Sequence, residues 1–282
     1  MISLKWTLFY GGACVHPEKI VLSKGKWKKR LFPALFSLLI HPEHGPILFD
    51  TGYTQRFHTE THRFPYRLYR MVTPVHFKET DAAHYQIQQL GYKSEEIRYI
   101  ILSHFHADHI GGCMDFPHAT FICSKKAYQA VQGKTGFSAV KRGFIPYLLP
   151  NDFKERVQFV EESKRVSIEE RFSPFLEGYD LFGDGSVIAV DLPGHAFGQI
   201  GIFFQNEQAK PVFLAADSCW LKEQYEEKAL PHPLANLITD DPQAYQESLT
   251  KVHLLSIRHP EVQIVPSHCL ETWLHLRGNG ST

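Results

Sequence analysis

The sequence lacks any apolar run of the roughly 18 residues that a membrane-spanning helix requires. Its longest apolar stretch, residues 31–40, is interrupted by Pro33 and predicts a buried strand instead. The N-terminal residues do not combine a basic segment with a long apolar core, so they do not resemble a secretory signal. We therefore expect a cytoplasmic protein with no membrane partner.

Cysteine is also scarce, and its arrangement excludes a disulfide framework. The cysteines are scattered, odd in number and without a Cys-x-x-Cys pair; the five are Cys14, Cys113, Cys123, Cys219 and Cys269. This usage is typical of free thiols in a reducing compartment and agrees with a cytoplasmic location.

An excess of charge is absent as well, because 30 Lys and Arg balance 30 Asp and Glu. The chain therefore lacks the overall positive charge that attracts proteins to nucleic acid. One basic run, residues 24–30, could contact phosphates, but we interpret it as solvated lysines at the edge of a hairpin. We expect a small-molecule substrate and no nucleic-acid partner.

Histidine, in contrast, is abundant, with 17 residues. Imidazole titrates near neutrality and is the commonest metal ligand, so the composition points to metal or acid–base chemistry. Apolar periodicity predicts strands at 3–10, 31–40, 46–50, 99–103, 120–123, 187–192, 200–205, 212–216 and 262–266. It predicts helices at 81–90, 125–131 and 241–258, the last begun by Asp241-Pro242.

The organisation of the chain predicts one domain over residues 1–282, since we find no internal repeat and no linker. The mixed, charged pattern of residues 133–178 predicts a helical or loop insertion near that segment. Several polar residues follow predicted strands, and strand ends meet at one edge of a sheet, where sites are commonly built. These residues are Asp50, His104, His195, Asp217 and His268.

The strongest motif is Ser-His-Phe-His-Ala-Asp-His-Ile-Gly-Gly at 103–112. His104 and His106 are two positions apart, and such side chains in an extended chain point to the same side, as two ligands of one metal must. Asp108 and His109 follow where the chain should turn, and they add an oxygen and a nitrogen donor. The segment offers enough donors for more than one metal of the zinc class.

In their order along the chain, these motifs resemble the metallo-β-lactamase superfamily of metal-dependent hydrolases. The superfamily pattern is His-x-His-x-Asp-His, then a His, an Asp and a final His. The matching positions are 104–109, His195 in Leu-Pro-Gly-His, Asp217 in Leu-Ala-Ala-Asp-Ser and His268 in Val-Pro-Ser-His-Cys. The resemblance implies an α+β fold, a four-layer αββα sandwich with the site at one edge between two sheets.

The resemblance also implies which residues bind metal. One metal would be held by His104, His106 and His195, the second by Asp108, His109 and His268, and Asp217 would bridge both. We expect two divalent metals, Zn²⁺ in the first place, with Fe or Mn as alternatives. Asp50, in Phe-Asp-Thr-Gly, would accept a hydrogen bond from a ligand imidazole and fix its tautomer; an ordinary turn residue is the alternative.

Within the superfamily, the chain is similar to lactonase-like hydrolases, which open acyl-homoserine lactones and related esters. The resemblance implies an enzyme in which a hydroxide held between two metals attacks an ester or lactone carbonyl of a small apolar substrate. Asp108 could also move a proton. Two positions depart from the lactonase pattern, because Trp220 replaces a usual Tyr and Gln199 replaces a usual His.

The substrate contacts are harder to predict from sequence than the metal ligands. Trp220, Tyr66 and Tyr69 are our candidates, since an aromatic-rich chain could line an apolar pocket. For the tyrosines, ordinary core packing of inserted helices is the interpretation that we favour.

Three other functions remain open. The first is a glyoxalase II-like thioesterase or a persulfide dioxygenase, which would use a single iron. The second is a phosphodiesterase or nuclease of the same fold, and the third is a degenerate metal-binding module. Superfamily members often form homodimers, and residues 52–78 are the candidate contact.

Overall fold

The computed structural model describes residues 2–279. This part of the chain contains thirteen strands and eleven α-helices, which are joined by loops and short 3-10 turns. The strands are β1 (Ser3–Pro17), β2 (Lys29–His41), β3 (Gly45–Phe49), β4 (Val75–His76), β5 (Tyr99–Ile101), β6 (Thr120–Cys123), β7 (Val157–Phe159), β8 (Lys164–Ser167), β9 (Glu177–Asp180), β10 (Ile188–Asp191), β11 (Ile200–Asn206), β12 (Pro211–Ala216) and β13 (Gln263–Pro266). The helices are α1 (Glu18–Val21), α2 (Gln55–Glu60), α3 (Tyr66–Val72), α4 (Ala83–Gln89), α5 (Ala107–Ile110), α6 (Lys125–Val131), α7 (Gly136–Val140), α8 (Phe153–Arg156), α9 (Lys222–Glu226), α10 (Pro242–Arg258) and α11 (Leu270–Asn279).

The strands form two sheets that share β1. The first sheet has the order β7-β6-β5-β3-β2-β1, and β4 also pairs with β1. The second has the order β8-β9-β10-β11-β12-β13. The start of β1 pairs in parallel with β11, where Ser3 lies opposite Gln205, and most of β1 pairs antiparallel with β2. One strand therefore joins both sheets.

The alternation of side chains along the strands creates the layers. One set of residues packs between the two sheets and includes Leu39, Ile47, Phe49, Ile101, Ile202, Phe204 and Leu214. Intervening residues of the first sheet, such as Leu38 and Ile100, face a second cluster with helix residues such as Ile87 of α4. Phe203 and Phe213 of the second sheet pack with Val252 and Leu255 of α10. The predicted αββα sandwich is confirmed.

Several predicted elements are confirmed almost to the residue. Helix α6 has the predicted bounds, and β2 and β3 form the predicted hairpin, with His41 opposite Gly45. Helix α10 begins after Asp241, whose side chain accepts hydrogen bonds from the backbone N–H groups of Gln243 and Ala244, each at 3.0 Å. The cap and the proline that follows it explain why this start could be read from sequence.

Two segments differ from the expectations. The first strand continues to Pro17 through an irregularity between Tyr10 and Ala13, instead of ending near residue 10. Residues 133–178 contain helices α7 and α8, but also β7 and β8, which extend the outer edges of the two sheets. Strand β7 has only three residues, too few to show an alternating pattern. One domain over residues 1–282 stays a prediction, and its terminal residues lie outside those described.

Cysteine chemistry and membrane topology can also be compared with the expectations. All five cysteines are free thiols and all are buried. Among the described residues, no helix combines the length and apolar character needed to span a bilayer.

Candidate metal centre

Polar residues lie just beyond the ends of five strands, on one edge of the sandwich. Asp50 follows β3, His104 follows β5, His195 follows β10, Asp217 directly follows β12, and His268 follows β13. Strands β3 and β5 run in parallel, as do β12 and β13, so their carboxyl ends lie side by side. The sequence-based expectation that these residues converge agrees with this placement.

Two of these strand ends have an unusual backbone. Asp50 has φ 60° and Ala216, which precedes Asp217, has φ 47°. Left-handed backbone in a non-glycine residue costs on the order of 1–3 kcal/mol and is frequent at functional sites. Each turn redirects the chain at the position where a polar side chain must enter the site.

His104, His106 and His195 form the first group of potential ligands. Their candidate ligand atoms all lie within 4.8 Å of one another. His195 Nε2 is 3.0 Å from His106 Nδ1, and the ring centroids of His104 and His106 are 4.5 Å apart. Gly143 packs directly against His106, because an added Cβ at position 143 would lie only 2.6 Å from Cδ2 of this ring.

Asp108, His109 and His268 form the second group, again within 4.8 Å of one another. Asp108 Oδ2 lies 3.5 Å from His268 Nε2 and 3.7 Å from His109 Nε2. Asp108 and His109 both belong to the short helix α5, which begins directly after His106. The helical turn explains how neighbouring residues of one motif face different groups.

Asp217 lies between the two groups. Its Oδ2 is 2.9 Å from His268 Nε2 and 3.1 Å from His195 Nε2, while its Oδ1 is 3.4 Å from His109 Nε2. A single carboxylate therefore reaches both groups, which is the placement expected of a bridging ligand.

Hydrogen bonds on the far side of the rings set the tautomers. The carboxylate of Asp50 accepts from Ser103 N and Ser103 Oγ, each at 2.8 Å, and lies 2.8 Å from His109 Nδ1. Ser103 Oγ also lies 3.0 Å from His104 Nδ1, and the Pro33 carbonyl oxygen lies 2.6 Å from His268 Nδ1. With Nδ1–H donating outward, the Nε2 lone pairs of these three histidines point inward, as metal ligation requires.

The buried site contains polar atoms that no protein group satisfies. His104 Nε2, His109 Nε2 and Asp217 Oδ1 are buried and form no hydrogen bond with the described residues; the 3.4 Å approach of His109 Nε2 to Asp217 Oδ1 is an ion-pair contact only. Unpaired buried polar atoms are costly, so they call for a ligand. Imidazole nitrogens and carboxylate oxygens are donors that divalent metals of the zinc class accept, and the residues present fit two such ions.

Burial and mutual repulsion shape the charges of the first group. Burial lowers the pKa of His104 well below its usual range, and it lowers the pKa of His195 to about 3. Burial also lowers the pKa of His106. These three rings are neutral at pH 7 and present lone pairs, the form that binds metal.

In the second group, the pKa values of the histidines are raised instead of lowered. Burial disfavours a charged His109, but the carboxylates of Asp108, Asp50 and Asp217 outweigh it and raise its pKa to about 10. Asp217 similarly raises the pKa of His268 against the effect of burial. Without metal, these imidazoles hold protons that balance the buried carboxylates.

A further group of potential ligands, His41, His44 and Asp184, lies elsewhere in the fold. His41 Nδ1 accepts hydrogen bonds from the backbone N–H groups of Glu43 and His44, each at 3.1 Å. Its Nε2 must then carry the proton, which is directed at Asp184 and Ser186 at 2.9 and 3.0 Å. His41 has no free lone pair, so we interpret this group as structural.

Of the three predicted substrate residues, two lie near the metal-ligand groups and one does not. The ring of Trp220 lies 4.3 Å from that of His268 and 6.1 Å from that of His195, measured between centroids. Burial, with the nearby Asp108 carboxylate as the next cause, raises the pKa of the Tyr69 phenol well above its usual range. Tyr66 is engaged elsewhere, because its hydroxyl accepts a hydrogen bond from Gly136 N at 2.9 Å.

An open cleft adjoins His195 and Trp220. It is lined mainly by apolar residues of distant segments; among them are Ile20, Val21, Pro231, Ala235, Ile238 and Tyr245. His16 also lines it, and burial lowers the pKa of this imidazole, with the nearby His268 as the next cause.

Sequence reasoning missed the apolar residues and His16 that line this cleft, and it also missed Ser103 and Gly143. Only the position of Ser103 directly before the histidine motif could have drawn attention to it.

A four-layer sandwich that gathers five histidines and two aspartates at the edge between its sheets defines a metal-dependent hydrolase. The family model described as the metallo-beta-lactamase superfamily matches residues 34–268. The chain belongs to this superfamily.

Individual relatives agree with this assignment. N-acyl homoserine lactonase AttM of Rhizobium radiobacter is 25% identical over 263 residues, which cover 92% of this chain and 90% of the relative. Probable metallo-hydrolase Rv2300c of Mycobacterium tuberculosis is 40% identical over 172 residues, 58% of this chain and 50% of that protein. A solved structure of a mutant AiiA of B. thuringiensis, with N-decanoyl-L-homoserine bound at the active site, matches with a TM-score of 0.72 over 97% of both chains at 22% identity.

Proposed function

We propose that this chain hydrolyses the ring ester of N-acyl homoserine lactones or closely related lactones. The observation that carries the proposal is the joint position of the paired ligand groups and the apolar cleft, which meet at His195 and Trp220. A relative that spans nearly the whole chain is named an N-acyl homoserine lactonase, which supports the same substrate class. An acyl chain suits a cleft with aliphatic and aromatic walls.

We propose two zinc ions as the resident metals. His104, His106 and His195 would hold one, Asp108, His109 and His268 the other, and Asp217 both, since nitrogen-rich sets with carboxylates are typical of zinc sites. When bound, the metals would supply Lewis acidity to the ester carbonyl and make water a better nucleophile at neutral pH.

The other roles belong to the protein's own groups. Asp50 and Ser103 hold His109 and His104 in the ligating tautomer. Asp108 would take up the proton that the nucleophile loses and return it to the ring oxygen that leaves. Trp220 borders the cleft, where its indole N–H can donate a hydrogen bond to the substrate but cannot act as an acid.

Metal analysis and a substrate panel test this proposal. We expect two zinc ions per chain, lactone hydrolysis that is lost on chelation and restored by zinc, and little activity on thioesters, phosphodiesters or β-lactams. One iron per chain with no lactonase activity would favour the dioxygenase instead, and thioester hydrolysis without lactone hydrolysis would favour the thioesterase.

A matched pair of variants ties the activity to the site. His104→Ala should lose metal and activity together, while His118→Ala, at an exposed position outside the site, should retain both. Equal activity of the two proteins would contradict the proposed ligand set. A cytoplasmic location is part of the proposal, and the five free thiols support it.

A further inference from the structure

Helix α3 turns an apolar stripe toward solvent. Phe64, Leu68, Met71 and Val72 have exposed fractions of 66, 37, 67 and 68%. Leu68, Met71 and Val72 belong to α3, and their spacing of three and one residues places them on one side of the helix. Phe64 precedes the helix and is exposed next to it along the chain. Large apolar side chains exposed together on one helix face are a sign of an interaction surface.

The opposite side of the helix is anchored to the protein, so the stripe cannot turn inward. Tyr66 is buried, and its hydroxyl accepts a hydrogen bond from Gly136 N at the start of α7. The exposed ring of Phe137 in α7 meets Phe64 edge to face, at 5.2 Å between centroids. We call Phe64, Leu68, Met71, Val72 and Phe137 the α3 surface.

The α3 surface belongs to two segments of the chain with an excess of basic residues. Residues 55–78 contain Arg56, Arg63, Arg67, Arg70 and Lys78 against the single acidic Glu60. Residues 125–149 contain Lys125, Lys126, Lys134, Lys141 and Arg142 and no acidic residue. Asp115 and Asp240 neutralise Arg56 and Arg142. Arg63 and Arg67 are exposed beside the stripe. A chain with zero net charge therefore has a locally cationic, apolar face.

We propose that the α3 surface docks on an anionic lipid bilayer. Apolar side chains that enter the interfacial layer, with arginines beside them, are the features that bind a helix flat on such a membrane. This differs from the expectation of no membrane partner, which depended on the absence of a long apolar run and does not concern a protein lying on the surface. The inference does not depend on the substrate proposed above.

The charges favour a bilayer over a second copy of the chain. A two-fold contact through this face would bring the exposed Arg63 and Arg67 of both copies into one interface. Like charges at such an interface are unfavourable. The homodimer contact expected within residues 52–78 thus becomes an alternative outcome of the test.

Flotation with vesicles tests the proposal on the full, metal-loaded protein. We expect binding to vesicles of equimolar phosphatidylcholine and phosphatidylglycerol, weak binding to pure phosphatidylcholine, and release from the anionic vesicles at high salt. No binding to the anionic vesicles, or binding equal on both compositions, would overturn it.

Two variants and a matched control locate the contact. Arg67→Glu changes the charge by two and should weaken partitioning about 30-fold, at about 1 kcal/mol per charge. Met71→Ser should weaken it roughly tenfold through lost apolar burial. Lys251→Glu and Ile257→Ser, exposed on α10, make the same chemical changes far along the chain and should leave binding unchanged.

Thermal unfolding of each variant shows whether it is folded. If the α10 changes weaken flotation as much as the α3 changes, the α3 surface is not the contact. If Met71→Ser converts a dimer to a monomer and leaves vesicle binding intact, a second copy covers this face and the membrane proposal fails.

Discussion

At the scale of single residues, the hydrogen bond made by Nδ1 of an imidazole determines whether Nε2, the atom that faces the site, is free to bind metal. The Nδ1 atoms of His109, His104 and His268 have as partners the Asp50 carboxylate, the Ser103 hydroxyl and the Pro33 carbonyl, respectively. The histidine motif could be predicted from its ligand spacing, whereas the later Asp and His residues were assigned as ligands because their order along the chain resembles that of the superfamily. Ser103 and Pro33 could not be predicted, since a hydroxyl or a carbonyl becomes a partner only when the fold brings it to a ring.

Asp50→Asn isolates the charge of this partner. Asn tolerates the left-handed backbone of position 50 and keeps the shape of the side chain, so the backbone should not change. We expect metal affinity to fall about 10- to 100-fold, as for other partners of ligating histidines. Competition with a chromogenic chelator measures this affinity.

Asp184→Asn is the matched control, because Asp184 also faces a histidine, His41, but in the group that we interpret as structural. Its metal affinity should equal that of the unchanged protein. Equal affinities for all three proteins would show that Asp50 does not support a metal ligand.

Protons should leave the site when metal enters. His109, with its pKa raised to about 10 by the surrounding carboxylates, and His268, with its pKa also raised, are protonated at pH 7 without metal. Metal binding must displace these protons, so affinity should increase with pH up to the folded pKa of His109. Calorimetric zinc titration in buffers of different ionisation enthalpy measures the protons released. Heats that do not depend on the buffer would contradict this prediction.

At the scale of elements, periodicity and capping predicted those strands and helices that bury one face. Helix α10 carries a cap, and β12 is a continuous buried run, so both were visible. Helix α3 was missed because its seven residues expose apolar side chains on the outer face, the reverse of the usual pattern. The edge strands β7 and β8 were missed because they are short and only partly buried.

The end of α9 offers a test of backbone conformation. Lys228 is exposed and has φ 51° just after the helix, a position where glycine is the usual residue. Lys228→Gly should raise the free energy of unfolding by about 0.5–1 kcal/mol, because relief of left-handed strain exceeds the entropy cost of glycine. Chemical denaturation measures it. Lys228→Ala removes the same charge without relieving the strain, and equal stability of the two variants would count against this explanation.

At the scale of the whole molecule, the site belongs to neither half of the chain. The 104–109 motif comes from the first sheet, whereas His195, Asp217 and His268 come from the second. The residues that line the cleft come from still more segments of the chain, among them Val21 of α1, Trp220, Pro231, Ile238 and Tyr245 of α10. Ligands could be predicted from order along the chain, but the cleft could not, because its walls share no sequence pattern.

Metal should therefore hold the two sheets together. With zinc present at about 1,000 times its dissociation constant, binding to the folded form alone adds about 4 kcal/mol to the free energy of unfolding. We expect chelation to lower the thermal midpoint clearly and zinc to restore it. His104→Ala should show a much smaller response to zinc, and an unchanged midpoint after complete chelation would contradict a shared site.

The strand common to both sheets also sets an order of events during synthesis. Ser3 reaches its partner Gln205 only after most of the chain has left the ribosome, and His268 meets the Pro33 carbonyl later still. The emerging chain thus displays its histidine motif long before the remaining ligands exist. The full set of ligands exists only once translation has passed residue 268. We therefore expect tight metal binding to be one of the last steps of folding.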